Sequence, residues 1–177
     1  MTVVAWDGRT LACDGMVSDG EGHIHLNDCQ KILTFTGAQG KAGILACGFA
    51  GEYMEGAAMA HWVASGCKMR SPPELTGEAS ELIAIDTRGV VWYMNGWGLF
   101  EEFPVQQVAI GSGRTYAMGA MAAGADAVRA VQHTARFNTL TGGVGTSWDF
   151  ETRGEARFNC YADPVVRRSP GHLRRVK

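Results

Sequence analysis

The sequence predicts an α+β fold in which two antiparallel sheets are covered by helices, and three observations predict it. Short runs of β-branched and apolar residues, bounded by Gly, Asp and Pro, dominate both halves of the chain. The 3.6-residue period shows only over residues 52–64, 114–123 and 125–137. The resulting order, strands, a helix, strands, two helices, strands, lacks the strand–helix alternation of a doubly wound parallel sheet.

Each element has a local reason. Residues 2–6 (Thr-Val-Val-Ala-Trp) read as a strand, Asp7-Gly8 as a two-residue hairpin turn, and residues 9–14 as the returning strand. Residues 15–29 are rich in Gly and Asp and predict a loop with a short strand. Residues 31–35 and 42–50 predict a third and a fourth strand, the latter nearly continuous in apolar or small residues, as a buried strand is. The helix over 52–64 stops at Ser65-Gly66, a C-cap signal. Ser71-Pro72-Pro73 breaks the chain. Residues 81–86 and 90–94 form a hairpin around Thr87-Arg88-Gly89, and residues 105–110 a strand ended by Gly111-Ser112-Gly113. The two later helices part at Gly124, with Asp126 as a cap. Gly142, Gly143 and Gly145 predict a loop, and residues 150–162 the final strands. The expectation is one domain over residues 1–163 and a basic tail over 164–177.

Composition removes several function classes. The chain has 177 residues, 46% hydrophobic and 19% charged, which is globular composition. The formal charge of -2 gives no global attraction to nucleic acid; the basic cluster Arg167, Arg168, Arg174, Arg175 and Lys177 reads as a solvated tail. No apolar run reaches the roughly 20 residues that span a bilayer, and residues 1–7 lack the pattern of a secretory signal. Five scattered cysteines without a CxxC pair imply reduced thiols and a cytoplasmic location.

Most candidate motifs have ordinary readings. Gly111-Ser112-Gly113 lacks both the Walker A ending and the G-x-G-x-x-G spacing, and reads as a strand-to-helix turn. His23 and His25 share a strand face but have no third metal ligand at a suggestive spacing, so no metal is expected. Glu101, Glu102 and Asp86 read as solvated carboxylates, and Trp62, Trp92 and Trp97 as core or interface residues. No G-x-S-x-G elbow is present.

The N-terminus carries the chemistry. Thr2 follows Met1, and a small second residue is the usual condition for removal of the initiator. Removal leaves a hydroxyl beside a free α-amine, whose pKa near 8 makes it a usable base. Such a nucleophile needs a cation, a carboxylate to orient it, and an oxyanion hole. Lys31 at the start of a strand supplies the cation, Asp14 at the end of another supplies the carboxylate, and Gly48-Phe49-Ala50-Gly51 lies at a strand-to-helix junction where N–H groups can meet an oxyanion. Ser112 is placed to relay a proton to the amine.

Thr2-Val3-Val4-Ala5, Leu11-Ala12-Cys13-Asp14-Gly15, Lys31-Ile32, Cys47-Gly48-Phe49-Ala50-Gly51 and Ala109-Ile110-Gly111-Ser112-Gly113 occur in the order seen in one family. On these stretches the chain resembles the proteasome β-subunit and HslV-like N-terminal nucleophile hydrolases, over residues 2 to about 145. The resemblance implies a four-layer αββα sandwich and a threonine endopeptidase that needs no cofactor. It assigns Thr2 as nucleophile and base, Asp14 and Lys31 as its paired carboxylate and lysine, Gly51 as the oxyanion-hole glycine and Ser112 as the serine near the amine. Ser18 is implied to pair with an extended peptide, with Val17 and Gly48 lining the pocket for the residue before the scissile bond. A self-compartmentalising homo-oligomer acting on peptide or unfolded protein, with an AAA+ ATPase partner, is implied too. The segment Thr141-Gly142-Gly143 departs from the family, whose members carry a carboxylate or cation-binding carbonyls there. Two alternatives stay open from the residues: an inactive structural protein of the same fold, and an amidohydrolase acting on a small amide.

Overall fold

A computed structural model describes residues 2–19, 21–67, 73, 75–76 and 79–162. The first sheet is ordered β10-β1-β2-β11-β12, from strands Val3–Trp6 (β1), Thr10–Cys13 (β2), Val108–Gly111 (β10), Val144–Asp149 (β11) and Glu155–Asn159 (β12). The second is ordered β5-β6-β7-β8-β9, from Ile32–Gln39 (β5), Ile44–Ala50 (β6), Glu81–Asp86 (β7), Val91–Asn95 (β8) and Phe100–Phe103 (β9). Val17–Ser18 (β3) and Ile24–Leu26 (β4) make a separate two-stranded ribbon. Every pairing is antiparallel.

Side-chain alternation decides what meets what. Val4 and Trp6 of β1, with Leu11 and Cys13 of β2, pack against Ile32, Ala46, Ile83 and Ile85 of the second sheet. Val3 and Ala5 point the other way, onto helices Arg114–Ala122 (α2) and Ala127–Phe137 (α3). In α3 the buried residues Ala127, Ala130, Val131, Thr134 and Ala135 recur at helical spacing, and their small side chains let the helix lie close to the sheet. Helix Tyr53–Ala64 (α1) covers the outer face of the second sheet, where Met59, Ala60 and Val63 meet Cys47, Phe49, Leu82 and Met94. By the same alternation Thr2 faces the space between the sheets, on the side of Val4 and Trp6.

The expected cap at Asp126 forms, its carboxylate accepting from Arg129 N, and Glu52, read as the first helical residue, instead caps α1 by accepting from Glu55 N. Other boundaries differ from the sequence expectation. The first hairpin turns on Gly8-Arg9, one residue later than Asp7-Gly8. Trp6 pairs with Leu11, Gly8 takes the positive φ of the first central position, and the Asp7 carboxylate accepts from Thr10 N. The segment between Asp14 and Lys31 holds two short strands, not one, and β5 runs on to Gln39. The strand expected from residue 105 starts at Val108. Two strands went unread. β9 (Phe-Glu-Glu-Phe) is an edge strand whose polar pair hides the alternation. β11 begins in the glycine-rich segment, where Gly145 is a strand residue because a Cβ there would lie 2.6 Å from Cys13 O. Phe150 accordingly sits in the turn before β12. Ser71, Pro72, residue 163 and the tail over 164–177 lie outside the described residues, as does Met1. No helix among the described residues is long and apolar enough to cross a membrane, and the five cysteines are free thiols.

Candidate active site

Three charged or polar side chains that a core normally excludes are gathered at one end of the space between the sheets. Thr2 is 3% exposed, Asp14 0% and Lys31 2%. Thr2 opens β1, Asp14 follows the end of β2 and Lys31 precedes β5, so both sheets contribute. The Thr2 hydroxyl donates to Asp14 Oδ1, and Lys31 Nζ donates to Thr2 Oγ1 and to Met16 O. Lys31 Nζ also lies 3.0 Å from Asp14 Oδ1. The carboxylate is held from all sides: Oδ1 accepts from Val3 N at 3.1 Å, and Oδ2 from Met16 N at 3.3 Å and Gly142 N at 3.1 Å. A buried ion pair tolerates desolvation only when its remaining donors and acceptors are satisfied in this way. Burial pushes the neighbouring Cys13 thiol up to about 12, more than Lys31 lowers it, so this sulfur adds no charge to the site.

Thr2, Val17, Lys31 and Gly51 line one pocket, closed by Met16, Phe49 and Tyr53. Gly51 follows β6 with φ +104°, and a Cβ there would fall 2.3 Å from Ala79 O, so only glycine fits. On the other flank of Thr2, Ser112 Oγ and Gly113 N both approach Thr2 O at 3.4 Å. The structure thus brings Thr2, Asp14, Lys31, Gly51, Ser112 and Val17 together. Ser18 lies next to Val17 on β3, its hydroxyl buried without a hydrogen-bond partner among the described residues and not on the pocket wall. Gly48 is a correction: its Cβ position is 2.7 Å from Val4 Cγ1, so it faces the core between the sheets rather than the pocket. Its lack of a side chain serves close packing.

Gly142, Met16 and Tyr53 were not anticipated. Gly142 N–H reaches Asp14 across 128 positions of sequence, and Gly142 O accepts from Gly15 N at 2.9 Å. The departing Thr141-Gly142-Gly143 segment therefore supports the carboxylate with backbone groups. The glycines themselves were the available signal, since a Cβ at Gly143 would strike Asn27 O at 2.2 Å.

The remaining candidates are engaged elsewhere. His23 and His25 contact one oxygen of Asp19, at 3.0 and 3.3 Å, on the exposed ribbon. No group of three or more His, Cys, Asp or Glu among the described residues is arranged to hold a metal. Asp86 is buried, not solvated as expected: the guanidinium of Arg88 and the Trp92 indole donate to it. Glu102 pairs with Arg88 and Glu101 is exposed on β9. Trp62 packs against Phe100, and Trp97 is 72% exposed.

The chain thus pairs two five-stranded antiparallel sheets with helices, and Thr2 stands at the head of the first strand. Among solved structures the chain is similar to eukaryotic HslV from Trypanosoma brucei, with a TM-score of 0.58 and 18% identity over 82% of this chain and 96% of that one. At that identity the likeness is one of fold. No protein-family model matches the sequence, and no curated protein matches it significantly.

Proposed function

We propose that the chain is a threonine peptidase whose nucleophile is Thr2, made N-terminal by removal of Met1. The buried Thr2–Lys31–Asp14 constellation carries the reading. Apolar residues of the same size would pack there at lower cost, because burying an ammonium and a carboxylate costs several kcal/mol per ion before their attraction is counted. A hydroxyl between those two charges has a chemical use and no packing use.

In the proposed mechanism the α-amine of Thr2 takes the hydroxyl proton, with Ser112 relaying it. Oγ attacks the peptide carbonyl while Lys31 Nζ, held by Asp14 and Met16 O, donates to the developing alkoxide. The C–N bond then breaks, the α-ammonium returns its proton to the leaving amine, and water hydrolyses the ester. Gly51 N–H is the proposed donor to the oxyanion, and the edge of β3, Val17 and Ser18, the support for the acyl half of the peptide. Activity falls as pH drops through the pKa of the amine, because an ammonium accepts no proton.

The same reading makes the two sheets and their outer helices a four-layer αββα sandwich, one domain over 1–163 with a basic tail. It extends to a cytoplasmic homo-oligomer that encloses its active sites and receives unfolded protein from an ATPase partner. The stacked pair Tyr116 and Phe137, 48% and 68% exposed, supports a surface that is covered in an assembly. The test is hydrolysis of a peptide library and of small amides by the wild type, Thr2→Ala and Lys31→Ala. Peptide cleavage abolished in both variants supports the proposal. An active Thr2→Ala, or cleavage of small amides alone, overturns it.

A further inference from the structure

The space around Thr2 is uneven. On the Lys31 side the pocket has room for about 10 Å³, no more than one water. On the Ser112 side a groove of about 610 Å³ opens, lined by Glu52, Glu81, Ser112, Arg114 and Thr115. Gly51 borders both, so the two spaces adjoin at the proposed oxyanion position. Val17, the proposed support of the acyl half, is on the wall of the small pocket, which leaves the groove for the part of the peptide beyond the scissile bond.

The charges of this groove are not equally available. Glu81 is withdrawn, its side chain 14% exposed, with Oε1 accepting from Tyr93 OH at 2.9 Å and Oε2 from Gly111 N at 3.0 Å. Glu52 Oε2 is engaged as the cap of α1, accepting from Glu55 N at 2.8 Å. Arg114, at the head of α2, lines the groove, is 61% exposed and touches Glu81 through Nη1 alone, at 3.4 Å.

We infer that this groove is the subsite for the leaving half of the substrate and that Arg114 selects a carboxylate there. The inference rests on the peptidase reading and adds to it a preference on the leaving side. The carboxylate belongs either to an acidic side chain one or two residues beyond the scissile bond or to the C-terminus of a short peptide. Both present the acceptor pair that a guanidinium fork matches.

The experiment cleaves matched peptides carrying Asp, Gln or Lys at the first two leaving-side positions, each with a free or an amidated C-terminus. Wild type, Arg114→Gln and Arg114→Glu are compared by the ratio of kcat/KM values within each enzyme. The wild type is expected to favour Asp over Lys about fivefold, the scale of a partly exposed ion pair. Arg114→Gln is expected to flatten that ratio and Arg114→Glu to invert it. If the terminal carboxylate is what is read, the free-acid over amide ratio carries the effect instead and moves the same way in the variants. Cleavage that ignores charge on the leaving side, or ratios unchanged in both variants, overturns the inference while leaving the peptidase reading intact. Failure to cleave any peptide overturns both.

Discussion

Replacing Lys31 by Met removes the ammonium while nearly keeping the volume, so the loss of charge is read without a large cavity. Asp14 is fully buried and keeps Val3 N, Met16 N and Gly142 N as donors, but loses Lys31, its ion-pair partner among the described residues. Breaking a buried pair in this way costs about 3–5 kcal/mol. For a chain of this length about 2–4 °C is lost per kcal/mol, so Tm is expected to fall by roughly 6–20 °C. Thermal melting followed by tryptophan fluorescence measures the shift. The double variant Asp14→Asn/Lys31→Met is expected to lose at least about 1 kcal/mol less than the sum of the two single losses, because each partner removed alone strands the other. A Lys31→Met protein melting within about 2 °C of the wild type, or additive losses, would refute the reasoning that a buried ion pair frames the threonine.

Three other outcomes follow from the geometry. Gly51→Ala forces a Cβ to within 2.3 Å of Ala79 O at φ +104°, and is expected to cost about 2 kcal/mol or more in chemical denaturation together with peptidase activity. Ser112→Ala removes one hydroxyl near Thr2 O and is expected to lower kcat about tenfold, the worth of a hydrogen bond of roughly 1.4 kcal/mol, with Tm unchanged; a fall in Tm without a fall in kcat would assign Ser112 to structure alone. Burial pushes the thiols of Cys13, Cys47 and Cys160 up to about 12, so their thiolates form only as pH rises toward that value. At pH 8 only about one thiol in ten thousand is ionised, and a disulfide reagent is expected to leave all three unmodified until the protein unfolds. Rapid labelling of any of them in the native protein would contradict the burial.

What was legible in the sequence was local or tied to residue chemistry. Thr-Val-Val-Ala-Trp reads as a strand from β-branching alone, and Ser65-Gly66 stops α1 where a positive-φ glycine is needed. Asp14 and Lys31 stood out as a carboxylate and a cation at strand ends, and the fold brings both against Thr2. Contacts made by the backbone across the fold were not legible. The Gly142 N–H to Asp14 bond depends on where β11 lies, and β11 was hidden because Gly145 avoids a clash with Cys13 O instead of showing an alternating side chain. Gly48 was misread for a related reason. A glycine near a proposed site suggests an open pocket, whereas this one is required by Val4 across the sheet interface. β9 was lost because Glu101 and Glu102 sit side by side on an edge strand, where one of them pairs with Arg88.

The most direct measurement of the central claim is the intact mass of the purified protein, with and without a peptide epoxyketone. That reagent closes its ring adduct only on a residue offering both a hydroxyl and a free α-amine. The expected mass lacks Met1 and gains one inhibitor, with no gain in Thr2→Ala. A mass that retains Met1 and gains nothing would contradict it, and would leave a chain with the fold and the buried charges but without the nucleophile.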